Sequence, residues 1–538
     1  MMIAIACDRS PELRPVPLPD VSRSDQSVQV QLRELHAAAV KKQESGAPDA
    51  ELGAAYGQLA MVLHAAEYFD AAEPAYLNAQ ALMPDDPRWP YHLGHLFRRT
   101  GDTARSIASF TRALELRPSD VPTLIWLSRT LTDAGRPAEA EPLLARAHQA
   151  APREVAVLAA RGQAALARGE HAQAAALLEE ALTMNPGTVS LHAPLAAAHR
   201  ALGNIEKADG HLKRWQNGEV PIADPLSDEL AVSLRSAISY ELRGVRAFDA
   251  GRFADAAELY RQGLTLTRPE TPVGRSLRHK LGLALYFGGD PRGALQQLTE
   301  AAMLAPSGGH DEPASRAHYS IGIIMASGGR DQEAIEHLSK AVSYDTASLQ
   351  ARMGLADTLR RQQRFADSLP HYVEALRIDP QAADARFGHA LALVRLRRYV
   401  EARTWLEDAV RAHPDRLDIT NALARILATA PDPRVRDGER AYRLGDELLK
   451  ASKRTEVGET IAMALAELGE YNRAAAIQRG VIKAAQQAGL EAEVARMTIN
   501  LRLYEDSQPC RRPWQDDDPV HRPGPPVSPQ LATLISSR

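Results

Sequence analysis

The sequence predicts an all-α chain, built as a solenoid of stacked helix–turn–helix units. Three observations carry this. Pro84, Pro118, Pro152 and Pro186 stand 34 residues apart, and Gly101, Gly135, Gly169 and Gly203 keep the same interval. Between these turn-formers, apolar residues recur at helical spacing. Aromatic residues make up 5% of the chain against 45% hydrophobic overall, so a core must be assembled from Ala and Leu. That composition suits closely packed helices better than sheets. A fixed period of this size marks an array in which each unit buries its apolar face on the next.

The unit from Pro87 to Pro118 justifies each element in turn. Leu93, Gly94 and Phe97 share one face of a first helix. Gly101 ends that helix, because glycine enters the left-handed region without a steric cost. Ile107, Phe110, Ala113 and Leu116 form the stripe of a second helix. Pro118 stops it, lacking an N–H and clashing with the preceding turn. Where the two helices cross, a large side chain would push them apart. That position holds Ala60, Gly94, Ser128, Gly162 and Ala196 in five consecutive first helices, and Ala72, Ser106, Ala140, Ala174 and Ala208 in the second helices.

These units resemble tetratricopeptide repeats of the bacterial type, and the resemblance covers residues 51–490. It implies an α-solenoid of stacked repeats forming a right-handed superhelix. Its concave wall would be lined by the first helix of each unit and would bind segments of partner proteins. The domains expected are a tether and leading helix at 1–50, a first array of about five repeats at 51–215, and a linker at 216–230 containing Gly218, Pro221 and Pro225. A second array of about five repeats follows at 231–415, with Gln363 and Arg397 standing where its other turns have glycine. Residues 416–504 read as two divergent repeats and a capping helix. Residues 505–538, containing SQPCRRPWQDDDPVHRPGPPVSP, read as a disordered proline-rich tail.

The expected function is a non-catalytic protein-interaction scaffold or adaptor. The alternative is an accessory subunit that presents substrate to a separate enzyme, such as a glycosyltransferase or envelope-assembly machinery. No HExxH, GxSxG or kinase motif set occurs, and the carboxylates are scattered over outer faces rather than paired in a pocket. No catalytic residue, cofactor or metal site is therefore expected. His92 and His95 lie three apart on a helix, but the pattern places no third ligand beside them. A net charge of −4 gives no field for nucleic acid. No stretch approaches the ~20 apolar residues needed to cross a bilayer. The partner expected is a protein or peptide.

The groove candidates are Arg88, Tyr91, His95, Arg98 and Arg99 on one first helix, joined by Trp126 and Arg129 from the next. Arginine pairs with carboxylates through two parallel bonds, and Tyr and Trp offer rigid contact area, so an acidic or C-terminal peptide is the ligand class indicated. The competing reading is a solvated basic helix face. The carboxylate clamp of chaperone-binding family members needs Lys and Asn where this unit has Tyr91 and His95, so chaperone docking is not implied. A second basic cluster, Arg360, Arg361, Arg364, Arg386, Arg395, Arg397 and Arg398, reads chiefly as solvating turn charge. The apolar set Phe248, Tyr286, Phe287 and Met353 reads as a seal between units.

The opening residues MMIAIAC resemble the end of a lipoprotein signal, with Ala6 before a candidate lipidation site at Cys7. The basic leader and most of the apolar run are missing. As written, the chain is expected in the cytoplasm; with an upstream signal, it would be tethered at the cell envelope. Cys7 and Cys510 are too few for a disulfide framework or a zinc site.

Overall fold

A computed structural model describes residues 11–524 apart from 219, 305–309, 453, 517 and 522. Cys7 lies outside the described residues. Among those residues the chain is helical throughout, with no strand. It divides into two compact units, one ending at Arg243 and the next beginning at Gly244, and the division falls within the helix Ala237–Asp249.

In the first unit the leading helix Gln26–Glu44 is followed by five helix pairs, from Asp49–Ala65 with Phe69–Leu82 to His192–Ala201 with Ile205–Leu212. The second unit continues the pairing from Phe253–Leu264 onward. Its last pair is Thr455–Glu467 with Tyr471–Gln487, and the helix Glu491–Glu505 packs on that pair. Several first helices also touch the first helix of the neighbouring pair, so they line up along one face within each unit.

The turn chemistry is local. Gly101 has φ of 81°. Its N–H donates to the Arg98 carbonyl at 3.3 Å, while the Asp102 N–H donates to Phe97 at 2.8 Å. This pair of bonds satisfies carbonyls that the helix end would otherwise leave open. Asp102 then caps the next helix by accepting from the Arg105 N–H at 3.0 Å. The crossing point is equally constrained. A Cβ built on Gly94 would lie 2.6 Å from the Phe110 ring. Ser106, fully buried opposite it, donates its hydroxyl to the Gly94 carbonyl at 2.8 Å. Ala72, Ala140, Ala174 and Ala208 are likewise fully buried at the equivalent place.

Gln363 and Arg397 adopt the glycine turn, with φ of 59° and 60°. Their amides make the same pair of closing bonds, Gln363 to Arg360 at 2.9 Å and Arg364 to Leu359 at 2.9 Å. An L side chain strains this conformation by ~1–2 kcal/mol, partly offset by the greater chain entropy a glycine loses on folding. Gln363→Gly is therefore expected to stabilise the second unit by about 0.5–1 kcal/mol, read as a higher urea midpoint at unchanged slope.

Three segments depart from the expectation of linkers and tails. In the N-terminal segment, Leu13, Val16 and Val21 pack on the first core cluster, and Asn78 exchanges two bonds of 2.8 Å with the Arg14 backbone. Residues 220–234, which run from the expected linker at 216–230 into the expected start of the second array, carry the helix Pro225–Ser233, which packs on Asp49–Ala65 and Arg88–Thr100. Val220, Ile222, Leu226, Leu230 and Leu234 supply its apolar contacts. The segment thereby belongs to the first unit. The expected disordered tail differs most. From 508 to 524 its described residues lie against the second unit, with Cys510, Asp518 and His521 buried. Apolar side chains and satisfied charges, spaced too irregularly to show a period, fix these segments.

Candidate functional site

The first wall is built where the helices Arg88–Thr100 and Val121–Asp133 lie side by side. Tyr91 is fully buried and donates its hydroxyl to the Asp224 carboxylate. Trp126 Nε1 donates to the same oxygen, Asp224 Oδ2, at 3.0 Å. Ser227 adds its hydroxyl at 2.7 Å and its N–H at 3.1 Å, so Asp224 is also the cap of the helix it begins. Burial works to raise the Asp224 pKa, but these donors hold its carboxyl below the usual range. His95 sits between Tyr91, Phe110 and Trp126, with ring centroids 4.7, 5.0 and 4.8 Å away.

The other candidates arrange themselves around this centre. Arg98 and Arg129 stack on the Trp126 ring at 4.9 and 5.1 Å. Arg88 pairs with Asp86 at 2.7 Å and reaches Glu229, on the docked segment, at 3.5 Å. Arg99 turns away to Glu67 at 2.7 Å. The structure thus brings Tyr91, His95, Trp126, Arg98 and Arg129 together, leaves Arg88 at the margin, and separates Arg99. The occupant of this wall is the chain's own residues 220–234, which the sequence reading treated as a connection. The signal that could have found it is Asp224-Pro225, a cap followed by a first-turn proline.

The second wall carries the basic cluster. Arg364 and Arg398 pair locally, with Asp367 at 2.8 Å and with Glu401. Arg360 and Arg395 instead face the segment 508–524, and Arg361, whose main partner is Asp331, touches the end of it. Arg360 donates to the Val520 carbonyl at 3.1 Å, Arg361 reaches the Gly524 carbonyl at 3.5 Å, and Arg395 pairs with Asp516. Sequence reasoning missed Arg425, which donates to the Pro513 carbonyl and pairs with the fully buried Glu459 at 2.9 Å. Asn500 donates to Glu459 at 3.1 Å, and Arg496 pairs with Asp518 at 2.7 Å. Burial works against the Arg425 charge, and the neighbouring carboxylates outweigh it. Burial pushes the Cys510 thiol up. Phe248 and Phe287 pack ring to ring at 5.3 Å, as a seal between units requires.

Among the described residues no group of three or more His, Cys, Asp or Glu could hold a metal, and no helix is long and apolar enough to cross a membrane. His92 stacks on Tyr76 at 5.7 Å, and neither of its nitrogens has a hydrogen-bond partner. Burial lowers the pKa of His64 to about 4 and that of His95 to about 3, and holds His92 well below its usual value. Above pH 6.5 these rings are neutral whether the chain is folded or not. Below it the unfolded chain takes up protons that the folded unit refuses. Stability is therefore expected to fall as pH drops from about 6.5 to about 4, by about 3 kcal/mol for His64 alone. Urea midpoints across that range measure it, and His64→Phe should flatten part of the slope.

Profiles of the tetratricopeptide repeat match residues 58–121, 279–348 and 353–432, and residues 97–164 and 165–219. Together they cover more than half of the 538 residues. No curated protein gives a significant match. Solved structures do. MamA from Desulfovibrio magneticus RS-1, from its residue 41 to its end, is 16% identical over 34% of this chain and 92% of that one, with a TM-score of 0.26. Yeast Tom70 is 16% identical over 85% and 97%, with a TM-score of 0.29. YrrB, a TPR protein with an unusual peptide-binding site, is 16% identical over 37% and 98%, with a TM-score of 0.30. At this level of similarity, none of them bears on what this chain binds.

Proposed function

Because the chain belongs to the tetratricopeptide-repeat family, we propose that it is a non-catalytic protein-interaction scaffold that holds partner polypeptide on the walls formed by its first helices. The reading is supported above all by what those walls already grip. In each unit, polypeptide from elsewhere in the same chain lies across first helices, held by side-chain donors to its carboxylates and carbonyls. A wall that satisfies buried backbone and carboxylate groups of one segment has the donors to satisfy another.

Arg98, Trp126 and Arg129 are the first-unit residues best placed to reach a partner beside the docked segment. The test is affinity capture from the native organism with wild-type chain and with Arg98→Glu/Arg129→Glu. The reading expects a reproducible partner whose recovery the double variant reduces. Equal recovery by both forms removes these residues from the interface. Turnover by the purified chain, abolished by one substitution, would overturn the non-catalytic reading.

A further inference from the structure

We propose that the first-helix wall of the second unit recognises an acidic, tryptophan-bearing segment of a partner protein, and that residues 508–524 occupy this wall in its place. The proposal rests on the scaffold reading and adds the chemistry of the partner.

The segment meets Arg425 at Pro513, Arg395 at Asp516 and Arg360 at Val520. These arginines stand on three successive first helices, Leu417–Thr429, Ala383–Arg395 and Leu349–Arg361. The chain thus crosses one repeat for every three or four residues. Along this path the segment folds into turns: the Asp518 N–H donates to the Gln515 carbonyl at 3.1 Å, the His521 N–H donates to the Asp518 carbonyl at 3.0 Å, and Pro519–His521 form a 3-10 turn. Each of the three repeats presents one guanidinium to one acceptor of this turn-bearing segment.

Charge and shape then define the peptide. Two pairs put the cation on the unit and the carboxylate on the segment, Arg496 on Asp518 at 2.7 Å and Arg395 on Asp516, while Arg511 of the segment pairs in the reverse sense with Glu467. One aromatic ring is used: Trp514 lies under the Arg425 guanidinium, 5.6 Å from ring centroid to carbon, and packs on the core of the unit. The fit is incomplete. A cavity of about 740 Å³ remains between segment and wall, with Arg416, Asn421 and Arg454 but also Asp418, Glu456 and Glu493 on one side and Trp514 and Val520 on the other. Asn421 Oδ1, which is buried, has no hydrogen-bond partner among the described residues. A partner that offers a donor there and fills the space binds better than the resident segment. Asp516 is 89% exposed, so its pair with Arg395 adds little to holding the segment down.

The test keeps the chain whole until it has folded. Ser507 lies in an exposed turn before the segment. A specific protease site is inserted between Ser507 and Gln508, the folded protein is cut, and a fluorescent peptide with the sequence 508–524 is added. The proposal expects the peptide to replace the cut segment, seen as a rise in anisotropy, while circular dichroism of the helices is unchanged. Trp514→Ala in the peptide, or Asp516→Asn with Asp518→Asn, should weaken binding about tenfold or more. Arg496→Gln in the chain, which removes the half-buried partner of Asp518, should do the same. The proposal is overturned if the cut segment never exchanges, if cutting unfolds the unit, or if a scrambled peptide binds equally well. The scaffold reading fails by a different result: no partner captured by a chain on which this peptide does exchange.

Discussion

Arg425→Met is expected to destabilise the second unit by about 3–5 kcal/mol, the usual result of stranding one partner of a buried ion pair. Arg425 is 3% exposed and Glu459 fully buried. Removing the guanidinium leaves Glu459 with Asn500 and the more distant Arg496, 3.7 Å away. It also frees the Pro513 carbonyl and uncovers one face of Trp514. Urea denaturation should show a lower midpoint, and the segment 508–524 should exchange its amides faster. Arg425→Met combined with Glu459→Met should recover most of the loss, because two apolar side chains of similar volume leave no charge behind. A double variant as unstable as the sum of both singles would mean that packing, not charge, sets the cost.

Asp224→Ala is the second large effect. This one carboxylate accepts from Tyr91, Trp126 and both donors of Ser227. Removing it leaves the Trp126 N–H without its acceptor, leaves the Tyr91 hydroxyl with only Ser227 Oγ at 3.2 Å, and strips the cap from Pro225–Ser233. Unsatisfied buried donors cost about 1–3 kcal/mol each, so about 3 kcal/mol of first-unit stability should be lost. Asp224→Asn, which keeps an acceptor oxygen but loses the charge, should fall between. Urea midpoints measure the loss, and a red shift of Trp126 emission in a chain with the other tryptophans replaced by Phe would report the opened wall.

The parts of this fold that repeat were legible in the sequence. Gly94 and Phe110, or Gly101 and Asp102, lie close together in the chain and recur on one beat, so pattern alone places them. Gln363 and Arg397 were recognisable as glycine substitutes from that beat, and their backbone confirms the position. The occupants of the walls were not legible. Tyr91 meets Asp224 across 133 residues, and Arg425 meets Pro513 across 88, with no periodicity to link them. Proline-rich composition argued for a mobile tail because it cannot build a core of its own. It did not count the cations that another part of the chain supplies. Arg425 and Arg496 drew no notice as single arginines among many. Tyr91 and Trp126 read as ring-bearing groove residues facing an external ligand, whereas in the structure both donate to Asp224.

The central claim is that first-helix walls are polypeptide-binding surfaces, held at present by segments of the same chain. Amide hydrogen exchange of the intact protein, followed by mass spectrometry, tests it most directly. Residues 225–233 and 508–521 should exchange at least about tenfold more slowly than free peptides of the same sequences, as amides in docked segments do. Asp224→Ala should remove the protection of the first segment and Trp514→Ala that of the second, each without loosening the other. Exchange of both segments at the free-peptide rate in the wild-type chain would contradict the account.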